Sequence, residues 1–580
     1  MATGKIIAPK IEIFVGSPIQ YESERSVIEQ LVRILAADSL PALIFANISL
    51  SSRQIDFVVA LANLTLVIEA KSYTRPIRGG ENGPWQVQVA SGDWKEFRNP
   101  YAQARDAALA VRDAMRSFDG AEVQYPGATL IFTPDIPRES QIYPGDFKVS
   151  VTGSDGLHAA LQARQKVSWS LDRWKAFAEH LRLTPVSTVA AACDPVLFEA
   201  EDLLRQYVAA FRHAYTHPEP LVPFTCRLGD ETASSDDVIR LVADRHADIL
   251  IQGPSGCGKT LLAGQAGLRF TEQSGLAITV PVKDYAGGLK KVLDREVGLL
   301  SGASAVTVLG ASRRLNRPLL FVVDGYNECT APERSSLTRA LAALARIYEA
   351  NLLVTSQCPL ARGDLLSLRT VEVPPATPET KTAIALNVTG GDALPNELEH
   401  LLGAVATGLE ARLIGEAGQQ LSRGNSRYAL FDAFARKRLD DTASDGIRLL
   451  SQVAGWLSER VAFSLSVRDL DRLMDQDRAP HSTATRLRTA GLLAQRGDRI
   501  SFAHEMFFDA FAAENVIRRA AGQPEPVLTA LGAPQNAERK SFIVGAIDDD
   551  RLRDQVLEGL TDAQSIAACI AGACGRAARE

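Results

Sequence analysis

At 580 residues, with 46% hydrophobic and 23% charged side chains, the chain has an ordinary globular composition. Its length suits about three to five domains of ~100–200 residues each. A net charge of −6 and a pI near 5.9 argue against a protein coated by nucleic acid and do not exclude one local basic groove. No apolar run approaches the length of a membrane span, and Met1-Ala2-Thr3-Gly4-Lys5 lacks a secretory hydrophobic region. The seven cysteines are scattered without a C-x-x-C pair, which suits a reducing cytoplasm better than a disulfide framework or a zinc site.

The first unit, residues 1–165, reads as α/β. An amphipathic helix is expected over residues 22–37: Val27, Ile28, Leu31 and Leu35 form its apolar stripe, and Glu24 falls on the same face. A carboxylate on the buried side of a helix needs a partner. Strands follow at 54–60 and 64–71. If Ala62 and Asn63 form a two-residue turn, paired positions sum to 125 and Asp56 lies across from Glu69. Directly opposed residues have Cβ atoms ~4.5–5.5 Å apart. Two carboxylates that close repel and suit a divalent cation between them. Lys71, on the same strand face as Glu69, is placed to stabilise charge developing on a phosphate or to activate water. The same three side chains would also suit a surface hairpin tied by salt bridges. A Gly-rich stretch containing Trp85 leads to a helix with Asn99 as N-cap and Pro100 at its first position. Strand-like runs at 128–132 and 147–151 close the unit. Arg75, Arg78, Lys95 and Arg98 would line a phosphate groove, while interleaved Glu81, Asp93 and Glu96 leave an ordinary solvated face equally open.

Residues 166–235 carry helical segments at 170–181 and 195–213, broken by Pro- and Ser-rich joints, and read as a connector. Strands and helices then alternate over 236–375. The signature of this unit is Gly253-Pro254-Ser255-Gly256-Cys257-Gly258-Lys259-Thr260, which matches G-x-x-x-x-G-K-[ST] at every fixed position. It follows the apolar run Ile249-Leu250-Ile251 and precedes a helix expected over 261–270, the context such a loop needs. Its glycines let backbone N–H groups crowd a polyphosphate at a helix N-terminus. Lys259 would reach the β- and γ-phosphates and Thr260 would hold Mg²⁺. Asp324 ends an apolar strand (319–323), where ligands bind in open α/β sheets and an aspartate can hold Mg²⁺ through water. Glu328 would orient an attacking water or stand as a solvated loop carboxylate. A third apolar strand, 352–354, ends in Thr355-Ser356-Gln357, whose polar side chains would meet a γ-phosphate. Beyond Pro374 the pattern is helical: a helical unit over 376–440, a unit over 441–522 with a hairpin that turns at Gly497-Asp498, and an Ala-rich helical tail over 523–580.

The order of phosphate loop, apolar-Asp-Gly-x-x-Glu, apolar-Thr-Ser, helices and hairpin resembles the NACHT branch of the STAND signalling NTPases over residues 236 to about 520. The segment around the hairpin is similar to that family's winged helix. Ile500-Ser501-Phe502-Ala503-His504-Glu505-Met506 matches its end, where the family's histidine contacts the β-phosphate of ADP in the closed state. By position that histidine is His504; a core histidine is the alternative. Two departures, Asn327-Glu328 for the family's acidic pair and Gln357 for its sensor arginine, imply slow hydrolysis, as in a switch. No Gly-x-Pro element marks the adenine site, so base identity stays open.

The first unit resembles the NERD (nuclease-related) domain, a branch of the PD-(D/E)xK nucleases, through Glu24, Ile55-Asp56, Glu69-Ala70-Lys71, Trp85, and Asn99-Pro100 with Gln103. The resemblance implies that Asp56 and Glu69 bind Mg²⁺, that Lys71 and Gln103 complete the site, and that Glu24 supports it. Together the two resemblances imply an α/β multidomain protein: an ATP/ADP-controlled switch fused to a Mg²⁺-dependent nuclease acting on DNA in antiviral defence. It would reside in the cytoplasm, away from membranes, and self-assemble when a trigger protein or ligand permits ATP exchange. The alternatives are an ATP-dependent restriction or repair nuclease, and a signalling scaffold that binds nucleic acid without cutting it.

Overall fold

The structure, a computed structural model, describes residues 11–579 except 121–123, 144–147, 166–168, 217–221, 286, 361–367, 392, 418–420, 422–424 and 478–479. The chain divides into two compact units: residues up to Tyr207 together with Val308–Asn316, and Val208–Thr307 together with Arg317–Glu580. No described helix is long and apolar enough to cross a membrane. All seven cysteines are free thiols.

The first unit is built on a seven-stranded mixed sheet. Its order is Val149–Gly153, Gly127–Phe132, Leu64–Lys71, Arg53–Leu61, Ala42–Leu50, Ile11–Val15 and Thr184–Val186. The three central strands form an antiparallel meander, and the turn at Ala62-Asn63 sets Phe57 opposite Ile68 and Leu61 opposite Leu64, the expected register. Parallel pairs flank the meander, and their crossovers carry the helices Glu22–Ala37 and Pro100–Asp119. One face of the sheet buries Val27, Ile28, Leu31 and Leu35 against Val15, Phe57 and Val59. The other buries Tyr101, Ala104 and Val111 with Val58, Val67 and Trp174. Trp174 belongs to the helix Leu171–His180, and Thr184–Val186 pairs antiparallel with Ile11–Val15. Part of the segment expected as a connector therefore supplies this core with a helix and an edge strand. The strand expected over 147–151 is Val149–Gly153; Phe147 lies outside the described residues. The Gly-rich stretch forms a second small sheet, in the order Trp94–Phe97, Trp85–Gln88, Ile77–Gly79 and Gln141–Ile142.

The second unit opens with another seven-stranded sheet. Its order is Glu231–Ser234, Thr225–Leu228, Arg369–Glu372, Ile249–Gln252, Asn351–Ser356, Leu319–Asp324 and Leu276–Pro281. The last five are mutually parallel, and the four beyond the short, mostly exposed Arg369–Glu372 read as near-continuous apolar runs because both their faces are covered. The first two form an antiparallel hairpin added at the edge from the expected connector. Ile249–Gln252 lies inside the sheet, while the next strand in the chain lies at its far edge. Its carboxyl end thus opens at a switch in strand order, where ligands bind. From Pro378 onward helices share one core that includes Leu413, Phe431, Leu450, Phe511 and Phe542. Within them a three-stranded sheet runs Leu465–Ser466, Arg499–Phe502, Leu493–Arg496, and Arg496 pairs with Arg499 across the turn. The tail is helical, from Pro524–Gly532 to Arg576–Arg579.

Candidate functional site

Asp56 and Glu69 stand one step beyond the Phe57–Ile68 pair of the central hairpin. They are buried, at 8% and 5% exposure, as is Glu24 at 5%. By strand alternation Glu69 shares the face of Val67, covered by the helix Pro100–Asp119, whereas at Asp56 the alternation is broken, Ile55 lying on the same face as Val58. Glu24 comes from the helix on the opposite face. One Asp56 oxygen accepts the Ala70 N–H at 2.8 Å, and Lys71 Nζ donates to Glu69 Oε1 at 2.6 Å. Burial first, then repulsion from Asp56, pushes Glu69 up to about 7. Burial, Asp56 and Glu69 together push Glu24 up to about 7, against the pull of Lys71. Asp56 is raised as well, by burial. Burial works to lower Lys71, but Glu69 and Asp56 outweigh it and hold the ammonium above its ordinary value.

Three buried carboxylates around one ammonium are short of positive charge, a deficit that a divalent cation would fill. Among the described residues no group of three or more His, Cys, Asp or Glu converges on a metal position. Asp56 and Glu69 would thus be two side-chain ligands, with waters and backbone oxygen completing the shell. Gln103 stands apart from the hydrogen-bonded set, half-buried in the first turn of the covering helix.

The other residues of the sequence pattern hold the frame. Asn99 caps the helix by accepting the Ala102 N–H at 3.0 Å, and its Nδ2 donates to the carbonyls of Gly80, Glu81 and Gly83 at 3.2, 3.0 and 2.9 Å. It therefore ties the Gly-rich loop to the helix. Trp85 is fully buried, its Nε1 donating to Gly80 O at 2.8 Å. A Cβ at Gly79 would lie 2.3 Å from the Trp85 ring, so only glycine fits there.

In the second unit, Gly256 and Gly258 take φ of +77° and +101°, values that glycine adopts freely. The helix Lys259–Glu272 starts directly after them. Lys259 Nζ donates to the loop carbonyls of Gly253 and Pro254 at 2.9 and 2.7 Å. Asp324 Oδ1 accepts from Thr260 Oγ1 at 2.9 Å and from Thr355 Oγ1 at 2.7 Å. Thr355 Oγ1 in turn accepts the Gly325 N–H at 2.8 Å. Two strand ends and the start of the helix Lys259–Glu272 are thus locked around one carboxylate. They open on a cavity of about 680 Å³, within the roughly 300–1,000 Å³ usual for small-molecule sites. Its lining is polar around Lys259, Thr260, Asp324 and Glu328, and apolar around Phe224, Pro374, Pro375 and Ile384. That division suits a polyphosphate joined to a flat base.

The helical segment closes on this loop. Leu409 N–H donates to Gly256 O at 3.2 Å, and a Cβ at Gly256 would lie 2.6 Å from Met506 Sδ and 3.0 Å from Thr407 Oγ1. Glu328 borders the cavity, its carboxyl folded back over Gly325. Burial first, then Asp324 and Glu505, pushes it up to about 8 against Lys283 and Lys259. His504 caps the helix Glu505–Ala520, its Nδ1 accepting the Met506 N–H at 3.1 Å. Burial, then Lys259 and Lys283, hold its imidazole down to about 4. A neutral ring that accepts at Nδ1 carries its proton on Nε2 and is a donor there. Gln357 Nε2 donates to the Glu505 carboxylate.

The cavity also contains Lys283, Arg496 and Glu505, and the apolar wall around Phe224, none of which the sequence reading singles out. Lys283 was within reach, because it follows Leu276–Pro281 at the carboxyl edge of the sheet. Arg496 carried no local signal.

Residues 19–131 match the family model of the nuclease-related domain, a segment that contains Glu24, Asp56, Glu69, Lys71 and Gln103. No curated protein matches the chain. Among solved structures, a STAND protein with a tetratricopeptide repeat sensor from Pyrococcus horikoshii is 15% identical with a TM-score of 0.31, covering 62% of this chain and 54% of that one. The chain thus spans about half of that protein's length. Cdc6p from Pyrobaculum aerophilum is 12% identical with a TM-score of 0.26, covering 52% of this chain and 98% of that one. The Orc1 protein of Aeropyrum pernix, solved in complex with DNA, is 15% identical with a TM-score of 0.27, covering 55% and 96%. Superpositions this loose carry no weight for fold or function, and the NTPase assignment rests on the loop and its sheet. The chain thus joins a segment that matches the nuclease-related domain, residues 19–131, to an α/β unit that carries a P-loop sequence.

Proposed function

We propose that the chain is an ATP-controlled switch of STAND type, NACHT-like, coupled to a Mg²⁺-dependent nuclease that acts on DNA in antiviral defence. The observation that supports the switch is the placement of His504. A helix cap orients a neutral imidazole that carries its proton on Nε2, and the residue borders the same cavity as Lys259. The winged-helix-like segment therefore offers a donor to a diphosphate held by the loop, and ADP would hold the closed form. The nuclease reading is supported by the family match and by the cation deficit around Asp56 and Glu69. A divalent cation held by those two carboxylates would supply Lewis-acid polarisation of the scissile phosphate and a more acidic water. Lys71, kept protonated by Glu69, would balance charge on the phosphate instead of taking a proton.

His504→Ala is expected to speed ADP release and raise basal activity. Losing a hydrogen bond to a charged group costs about 1.5–3 kcal/mol, roughly ten- to a hundredfold in a two-state equilibrium. Stopped-flow release of a fluorescent ADP analogue measures it; an unchanged off-rate in a folded variant ends the latch. ATP hydrolysis should also depend on pH through Glu328. Its carboxyl is protonated below about 8, so a role in activating water makes turnover rise by about tenfold per pH unit up to that value and then level. Steady-state rates from pH 6.5 to 9.5 test this, and a profile identical in Glu328→Gln removes the assignment.

A scaffold that binds nucleic acid without cutting is favoured by one observation: Lys71 already occupies a Glu69 oxygen, and no three-residue metal group is present among the described residues. A plasmid-nicking assay in Mg²⁺, with and without ATP, separates the readings.

A further inference from the structure

The hairpin strand Leu493–Arg496 brings a cation into the nucleotide cavity. The Arg496 side chain lines the same space as Lys259, Lys283, Asp324 and Glu328. Its Nη1 is buried and has no hydrogen-bond partner. The carboxylate it pairs with, Glu296, is 3.7 Å away, beyond hydrogen-bond length. Glu296 is shared with Arg295 at 3.5 Å, and Arg295 also pairs with Asp284 at 3.0 Å. Lys283 is lowered by burial and then by the nearby charge of Arg496. Against its burial, Glu296, Asp284 and Asp324 hold Arg496 charged, yet none takes up its Nη1–H. An unpartnered buried guanidinium N–H is unfavourable, and an anion that accepts from it relieves this. Gln357, which follows Thr355-Ser356 where a phosphate-reading side chain would sit, is neutral and bonded to Glu505.

We propose that Arg496 distinguishes a nucleoside triphosphate from a diphosphate, its free Nη1–H bonding the terminal phosphate beside Lys283. This rests on the reading of the cavity as a nucleotide site. The hairpin and the helix cap that follows it then carry opposite signals: His504 holds the diphosphate form, and Arg496 answers to the added phosphate.

The test uses the full-length protein with Mg²⁺, comparing Kd for ATPγS and for ADP by calorimetry, with a thermal melt of each variant. Arg496→Gln is expected to weaken ATPγS at least tenfold and ADP less than twofold, and Arg496→Lys to recover part of the loss. Glu296→Gln removes the competing carboxylate and is expected to tighten ATPγS about threefold with ADP unchanged. If both nucleotides shift together, or neither shifts, in an Arg496→Gln protein that melts as wild type, the assignment is overturned. Should Arg496→Gln fail to fold, an unchanged ATPγS-to-ADP ratio in Glu296→Gln overturns it instead. Wild-type protein that binds neither nucleotide would overturn the nucleotide reading and, with it, this one.

Discussion

Lys259→Ala is expected to weaken ATP and ADP binding by a hundredfold or more, measured by calorimetry on full-length protein in Mg²⁺. The ammonium would meet oxygens of two phosphates, and each bond to a charged group is worth about 1.5–3 kcal/mol. At roughly 1.4 kcal/mol per decade, two such bonds give about a hundred- to a ten-thousandfold. The fold should tolerate the change. In the structure Nζ is bonded to the loop's own carbonyls, Gly253 O and Pro254 O, and these groups face a cavity that water can enter. A melting temperature within a few degrees of wild type, together with lost binding, is the expected pair of results. ATP affinity equal to wild type would remove the basis for a nucleotide switch.

Asp56→Asn is expected to abolish DNA cleavage, at least a thousandfold in a nicking assay, while leaving ATP affinity unchanged, since the two sites belong to different units. Asparagine is the sharper choice than alanine. Its carbonyl can still accept the Ala70 N–H that Asp56 Oδ2 accepts at 2.8 Å, whereas alanine would leave that buried N–H unpaired at a cost of about 1–3 kcal/mol. Removing the charge also removes a source of repulsion that raises both Glu69 and Glu24. In the absence of metal, Asp56→Asn should therefore melt no lower than wild type. A variant that is stable and still cuts at the wild-type rate would disprove the proposed role of these acids. A wild-type protein that binds DNA but never nicks it would favour the scaffold reading.

The sequence by itself determined the features that depend on near neighbours in the chain. The phosphate loop is one octapeptide, and its two positive-φ glycines and the helix at Lys259 follow from local conformational preference. The register that places Asp56 beside Glu69 follows from a two-residue turn, because a slip of one residue would turn every side chain of the strand to the wrong face. The helix Glu22–Ala37 is legible from its apolar spacing, and Pro100–Asp119 from Asn99 and Pro100 at its start. Only the tertiary structure decided where separate elements meet. The supposed connector became an edge strand of one sheet and an edge hairpin of the other. Such pairings depend on an open sheet edge, which no local pattern announces. The helix cap made by His504 places its proton on Nε2, and Arg496 enters the cavity from a strand end beside the turn at Gly497-Asp498, where no local sequence signal marks it. Burial and neighbouring like charges set the state of Glu328, Glu69 and His504, and both are properties of the surrounding packing, not of the residue's place in the chain.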